Sequence, residues 1–146
     1  MNNPKLSLII GVNHESKYYR ELVQQAQRQD YDNLEIIIVS NRLNTKEQYI
    51  LDFLTYRDSL ERTKHICLIN RRCHSSIYNE GINLATGDYV WCVNENIALD
   101  DEKIVSRVIC ELVKSKAQAI YLVESKVQPN QLPKPINRAK KHMRHV

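Results

Sequence analysis

Short polar stretches follow several apolar runs of this 146-residue chain, and their side chains could contact a metal ion or an anionic ligand. The clearest stretch is Asn94-Glu95-Asn96, after the apolar run at 89–93. Hard divalent cations favour carboxylate oxygens, and an amide oxygen is a ligand without the charge. Strand alternation directs Glu95 away from the side that Asn94 and Asn96 share. The residue types therefore predict no metal site, although Mn²⁺ or Mg²⁺ binding stays open if the chain turns sharply here.

Two further pairs could contact a ligand, and each has a structural alternative. Arg71 and Arg72 could neutralise a diphosphate through bidentate hydrogen bonds, or form an exposed loop pair. His14 and Glu15 could contact a base or ribose, or cap the following helix. Tyr78 is interpreted as a core-facing aromatic residue, with a stacking platform as the alternative.

The apolar pattern predicts the elements that position these residues. Continuous apolar runs predict buried strands at 5–12, 34–40, 65–70, 89–94 and 117–127, with Trp91 in the core. Amphipathic spacing predicts helices at 16–29, from Thr45, at 75–86 and at 101–116. Ser16 is the predicted N-cap of the first helix. Thr45 and Gln48 form a predicted capping box on the second, with Ile50, Phe53 and Leu54 facing inward.

Strand and helix alternate along the chain, which predicts an α/β fold with a mostly parallel sheet and helices on both faces. Ligands bind such sheets at the carboxyl ends of the strands. The polar stretches at 11–15, 40–44, 70–74 and 94–97 would then share one edge.

Composition indicates one globular domain, predicted at 1–127, and a Pro-containing basic arm at 128–146. The apolar fraction is 42% and the charged fraction 26%, as in soluble proteins. There is no apolar run of ~20 residues and no signal-peptide pattern, so we predict no transmembrane segment and a cytoplasmic location. The net charge of +4 arises in the arm, where residues 134–146 include five Lys or Arg and no acid. This predicts no specific nucleic-acid binding, although the arm could attach weakly to nucleic acid or acidic membranes.

The four cysteines stand at 67, 73, 92 and 110 and form no CxxC pair. Cys67 and Cys92 lie in strand-like apolar runs and Cys110 in a helical one, so we predict buried free thiols, as in a reducing compartment. Cys73-His74 has no further ligands at zinc-site spacing.

Three stretches together resemble family-2 glycosyltransferases, which are inverting enzymes with a nucleotide-sugar-binding α/β fold. LSLIIGVNHES resembles the family's first strand, and QDYDNLEIIIVSN resembles its Q-x-Y-x-N-x-E-I-I-V-V-D-D. NRRCHSSIYNEGINLATGDYVWCVNEN is similar to its N-x-G-x-x-x-A-R-N-x-G-I-x-x-A-x-G-x-Y-I-x-x-x-D-x-D, without a gap. The resemblance implies a glycosyltransferase A-type (Rossmann-like) three-layer sandwich, restricted here to the nucleotide-binding half.

The departures fall on positions that the resemblance implies are functional. Ser40 or Asn41 replaces an aspartate that would contact the nucleotide base, and Tyr78 replaces an arginine. Arg72 replaces a glycine. Asn94 and Asn96 replace the two aspartates of D-x-D. The resemblance implies this set of nucleotide-binding residues: Val12, His14, Glu15, Ser40, Asn41, Arg72, Tyr78, Asn94, Glu95 and Asn96.

Two functions are consistent with this pattern. The chain could be a minimal glycosyltransferase whose acceptor site is supplied by a partner or dimer mate. It could instead be a non-catalytic interaction or regulatory module on the same fold. We expect the half that carries the acceptor site and catalytic base to be absent, and no residue here is nominated as that base. For catalysis by this chain alone, we favour the second interpretation.

Overall fold

The computed structural model describes residues 3–13, 18–41, 43–68, 73–94 and 97–118. Strands and helices alternate in the order β1 (Leu6–Val12), α1 (Tyr18–Gln27), β2 (Leu34–Asn41), α2 (Thr45–Tyr56), β3 (Thr63–Leu68), α3 (His74–Leu84), β4 (Tyr89–Asn94) and α4 (Ile104–Ser115). The chain divides into two compact units, Met1–Ser106 and Arg107–Val146. The predicted strand at 117–127 and the basic arm fall almost entirely outside the described residues.

The sheet of the first unit is parallel throughout and has the strand order β3-β2-β1-β4. Every residue of β1 and β2 is buried, because these two strands are central and are covered on both faces. This explains why their sequences are continuous apolar runs and do not alternate. The predicted α/β fold with a parallel sheet is confirmed.

Helices cover both faces of this sheet. On one face, Ile77 of α3 packs with Ile9, Ile37 and Val39 in a fully buried cluster. On the other face, α2 contacts β3 through the polar side chain of Gln48, and α1 lies beside α2. The amide of Gln27 donates to the carbonyl of Leu54 at 2.9 Å and joins those two helices. The sheet is therefore the middle layer, with its carboxyl ends at one edge.

At the amino-terminal edge of the sheet, a buried carboxylate connects several segments of the chain. Glu35 opens β2 and is only 4% exposed. The Ser7 hydroxyl of β1 donates to Glu35 Oε1 at 2.6 Å, and the backbone N–H of Thr86 donates to the same oxygen at 2.8 Å. Ser7 Oγ in turn accepts the N–H of Gly87 at 2.8 Å. Glu35 therefore links β1 and β2 to the α3–β4 connection.

Two lysines complete the surroundings of Glu35. Lys64 Nζ lies 3.3 Å and Lys5 Nζ 3.5 Å from Glu35 Oε2. Burial alone would raise the pKa of Glu35, but the hydrogen bonds from Ser7 and Thr86, with the charge of Lys5, lower that pKa to about 2. The ionised form is thus the one that the fold stabilises.

The helix α3 approaches β1 closely at Gly81. A Cβ added to Gly81 would lie 2.4 Å from Ile9 Cγ2 and 3.2 Å from Ile9 Cδ1. The buried branched side chain of Ile9 has no room to move away. Packing therefore requires glycine at this position. Backbone conformation does not, because no glycine of the described chain has a positive φ.

Several local expectations need correction. Phe53 is 50% exposed and does not face inward, whereas Leu51 and Leu54 form the buried side of α2. The N-cap of α2 is Asn44, whose side chain accepts from the Glu47 N–H, so Thr45 is the first helical residue. The Asn44 side-chain oxygen accepts from the third residue of the helix, which is the ordinary N-cap geometry.

The remaining corrections concern burial. The four cysteines are free, as predicted, but Cys73, Cys92 and Cys110 are exposed and Cys67 is half-buried. Cys92 is exposed because β4 is an outer strand of the described sheet. Trp91, on the same strand, is half-buried for the same reason. In the described part of the chain, none of the helices combines the length and apolarity that crossing a membrane requires.

We expect Glu35→Gln to lower the free energy of unfolding by about 3 kcal/mol at pH 7, because the depressed pKa measures how strongly the fold favours the carboxylate. In the native sequence this contribution is complete above about pH 5 and is lost as the pH falls toward 2. Urea unfolding between pH 2.5 and 7 measures both effects. The exposed Glu80→Gln is the matched control. A wild-type-like pH dependence in the Glu35 variant would contradict this assignment.

Gly81→Ala should destabilise the protein by about 1–3 kcal/mol through overpacking against Ile9. Glycine to alanine inside a helix normally stabilises by about 0.5–1 kcal/mol, so the sign of the change is diagnostic. Asn83→Ala, at an exposed position of α3, is the control. Thermal unfolding of both variants gives the comparison, and a stabilised Gly81 variant would show that the contact is absent.

Candidate functional site

The strand order creates a crevice between the carboxyl ends of β1 and β4. The chain adds β2 and β3 on one side of β1 and then crosses to place β4 on the other side. Ligands of open α/β sheets bind at this topological switch point. Gly11 of β1 and Asn94 of β4 are register partners there, and Val12 and Asn13 extend β1 beyond them.

The buried amide of Asn41 joins the ends of the two central strands. Asn41 is 2% exposed, and its Nδ2 donates to Asn13 Oδ1. The register places Asn41 and Asn94 on the same face of the sheet. Asn94 pairs with Gly11, and Asn41 lies two residues after Val39, which also pairs with Gly11. These two predicted site residues therefore share the edge on the side that α3 covers.

Ser40 has the opposite orientation. It is fully buried, and its hydroxyl lies 2.8 Å from His65 Nε2, while His65 Nδ1 lies 2.8 Å from Asp52 Oδ1. The connectivity matches a Ser-His-Asp triad, but here the serine is buried and the aspartate side chain is 71% exposed. A catalytic triad needs an accessible serine and a buried aspartate. The three residues therefore link β2, β3 and α2, and Ser40 does not reach the crevice.

Tyr78 forms part of the crevice floor. Its ring covers Gly11, where an added Cβ would lie 2.9 Å from Tyr78 Cζ. Its hydroxyl donates to the carbonyl of Val93 at 3.0 Å. The ring also packs against the cluster that contains Ile77. Tyr78 is thus a core-facing residue that connects α3 to β1 and β4, and its contact with a nucleotide stays a prediction.

Gln25 of α1 and Gln29, two residues after that helix, are absent from the predicted site and hold the segment after β4. Gln25 Oε1 accepts the N–H of Leu99 at 2.7 Å. Gln29 Nε2 donates to the carbonyl of Asp101 at 2.9 Å, and Gln29 Oε1 accepts the N–H of Val105 at 3.1 Å. No sequence signal distinguishes them, because a polar residue on an amphipathic helix normally faces water. They fix the path of the chain beyond Asn94.

The remaining predicted residues lie outside the described part of the chain: His14, Glu15, Arg71, Arg72, Glu95 and Asn96. Among the described residues, no group of three His, Cys, Asp or Glu side chains could hold a metal ion. The described donors at this edge are the amides of Asn13, Asn41 and Asn94. Amides add no negative charge, so this donor set does not fit a hard divalent cation.

The N-terminal end of α3 begins at His74, after β3, and so lies toward the carboxyl edge of the parallel sheet. Backbone N–H groups at a helix N-terminus favour anions. With neutral amides around it, the described edge suits a phosphate-bearing ligand better than a metal ion.

Comparisons with known proteins agree with this geometry. Residues 7–142 match the family model described as Glycosyl transferase family 2. An uncharacterised glycosyltransferase of Rickettsia typhi is 28% identical, over 84% of this chain and 41% of that protein. Glycosyltransferase GlyG of Streptococcus pneumoniae is 26% identical, over 77% of this chain and 35% of that protein. The chain thus spans about two fifths of the length of these curated relatives.

Solved structures share the fold. TarS of S. aureus in complex with UDP-GlcNAc is similar with a TM-score of 0.64 at 18% identity, over 86% of this chain and 37% of that one. The mannosyltransferase PcManGT of Pyrobaculum calidifontis, solved with GDP-Man and Mn²⁺, gives a TM-score of 0.59 at 20% identity, over 66% of this chain and 30% of that one.

Tyr78→Phe should lower the free energy of unfolding by about 1 kcal/mol, because the carbonyl of Val93 loses its donor while the ring contact with Gly11 stays. Denaturant unfolding tests this. Tyr56→Phe is the control, since Tyr56 is 89% exposed. Equal stability of the two variants would show that the Tyr78 hydroxyl does not bridge α3 and β4.

Proposed function

Since this chain belongs to glycosyl transferase family 2, we propose that the crevice at the carboxyl ends of β1 and β4 binds a nucleotide-diphospho-sugar. The observation that carries the proposal is the convergence of Val12, Asn41 and Asn94 at the switch point of a parallel sheet. Two similar structures contain GDP-Man and UDP-GlcNAc in their own sites.

The polar groups suggest a division of roles within this site. The amide of Asn41 is assigned to a base or ribose contact, because it ends β2 on the same face of the sheet as Asn94. Of the two aligned candidates, Asn41 is therefore preferred to Ser40. The predicted residues His14, Glu15, Arg72, Glu95 and Asn96 would complete the site, with arginine in place of a metal for the diphosphate.

We further propose that this chain binds the donor without transferring the sugar unaided. Transfer leaves a nucleoside diphosphate anion, whose developing charge needs stabilisation by a metal ion or fixed cations. Asn94 and Asn96 supply no negative charge to hold such an ion. An inverting reaction also needs a base for the acceptor hydroxyl, and none is nominated. Activity would then depend on a partner protein.

The alternative is an interaction or regulatory module on the same fold. The amides at 94 and 96 also favour this alternative. Without carboxylates to hold a metal ion for sugar transfer, the domain has less need to bind a nucleotide. A cytoplasmic location and weak anionic-surface binding by the arm also stay predictions.

Calorimetry with UDP, GDP and their sugars tests the proposal. We expect nucleotide binding by the native chain without a requirement for Mn²⁺. The double variant Asn94→Asp and Asn96→Asp should bind at least tenfold more tightly with Mn²⁺ than without, because two carboxylates now accompany the diphosphate.

The matched control is Asn83→Asp, at an exposed position near the end of α3 that faces the opposite edge of the sheet. It should bind nucleotide as the native chain does. Absence of binding to every nucleotide would refute the donor-site proposal and leave the interaction module.

A further inference from the structure

The helix α2 exposes an aromatic face directly opposite its buried side. Leu51 and Leu54 are buried, whereas Tyr49 is 74%, Phe53 50% and Tyr56 89% exposed. At 100° per residue, the three aromatic side chains fall within one stripe about 180° from the buried leucines. We call Tyr49, Phe53 and Tyr56 the aromatic stripe. Exposed apolar groups that form one contiguous face indicate an interaction site.

The spacing of the stripe is that of a coiled-coil seam. Intervals of four and three residues place Phe53 at an a position and Tyr49 and Tyr56 at d positions of a heptad. Within the helix, which ends at Tyr56, Lys46 occupies the preceding a position, and Leu60 is 59% exposed but lies in the turn beyond the helix. Such a seam normally packs against another helix of the same kind.

The charges beside the stripe identify the partner. In this heptad, Asp52 occupies g and Arg57 occupies e. Residues at g and e, five positions apart, meet across a parallel two-stranded seam and set partner choice and orientation. Asp52 of one copy would therefore face Arg57 of a second copy, and the reverse pair would form by symmetry.

Both charged groups are accessible for this pairing. The Asp52 side chain is 71% exposed although its Oδ1 contacts His65. Arg57 lies with its guanidinium 5.8 Å from the centroid of the Phe53 ring, at the edge of the stripe. An anionic membrane is a poorer match, because an acid and a base flank the stripe together. In an antiparallel pair, the Asp52 side chains of the two copies would face each other, and so would the Arg57 side chains.

The area of the stripe indicates a weak interface. Buried Phe and Tyr side chains cover about 150–250 Å² each, so three partly exposed ones offer roughly 400 Å² per copy. This is about half of the ~800 Å² that each partner contributes to a standard interface. Self-association is therefore expected to be reversible and concentration-dependent.

We propose that the aromatic stripe of α2 binds the same stripe of a second copy of this chain, with the two helices parallel about a two-fold axis. This surface is on the outward side of α2 and does not include the nucleotide crevice, so the proposal is independent of the donor site. Dimerisation would pair two nucleotide-binding units through their outer helices.

Sedimentation velocity of the full chain, from about 5 to 500 µM, tests the pairing. The native chain should shift from monomer toward dimer as the concentration rises through this range, because a small interface gives reversible association. Tyr56→Glu should weaken the dimer at least tenfold. Tyr18→Glu on α1 is the control, because Tyr18 is also exposed, at 66%, but lies outside the stripe. A native chain that stays monomeric throughout would overturn the proposal.

Charge exchange tests the parallel register. R57E and D52K should each stay monomeric, since each places like charges across the seam. An equimolar mixture of the two should recover the native dimer, because Asp52 of the first chain meets Arg57 of the second and the two introduced charges also attract. Circular dichroism verifies that D52K, which loses the His65 contact, is folded. A mixture no more dimeric than its components would refute the parallel register. That conclusion would hold even if R57E alone had abolished the dimer.

Discussion

The ionised carboxylate of Glu35 is the interaction on which the sheet edge depends. It joins β1 through Ser7, β3 through Lys64 and the α3–β4 connection through Thr86, so one buried charge sets the relative positions of four segments. A buried carboxylate is costly unless it is paired and hydrogen bonded, and here both conditions are met. Thr86 and Gly87 lie directly before β4, which explains why the α3–β4 turn carries small and polar residues. The register of β4 beside β1 follows from this contact.

In the described part of the chain, uncharged side chains connect the same two strands at the opposite edge. There the Asn41–Asn13 amide pair and the Tyr78 contact with Gly11 and Val93 hold the carboxyl ends together. Neutral hydrogen bonds can keep a crevice in shape without the attraction that carboxylates offer a cation.

The helix α2 shows how one element serves two surfaces. Its buried side, Leu51 and Leu54, anchors it in the first unit, and its outward side carries the aromatic stripe. A helix that is apolar on both faces loses the clear amphipathic pattern, since its polar residues are confined to narrow flanks. The wrong inward assignment of Phe53 follows directly from this. Position in the helix, and not residue type, decides which aromatic side chain the core accepts.

Sequence alone determined the α/β fold, the order of strands and helices in the described part, and the shared edge of Asn41 and Asn94, because buried parallel strands leave continuous apolar runs and parallel strands end together. It also determined that amides occupy the two positions where carboxylates were expected. Only the tertiary structure decided that Ser40 contacts His65 and Asn41 contacts Asn13, that Tyr78 covers Gly11, and that Gln25 and Gln29 hold the segment after β4. Those outcomes depend on contacts between residues 25 to 76 positions apart. No periodicity along the chain records such contacts, because side-chain direction at a strand end is set by the neighbouring elements.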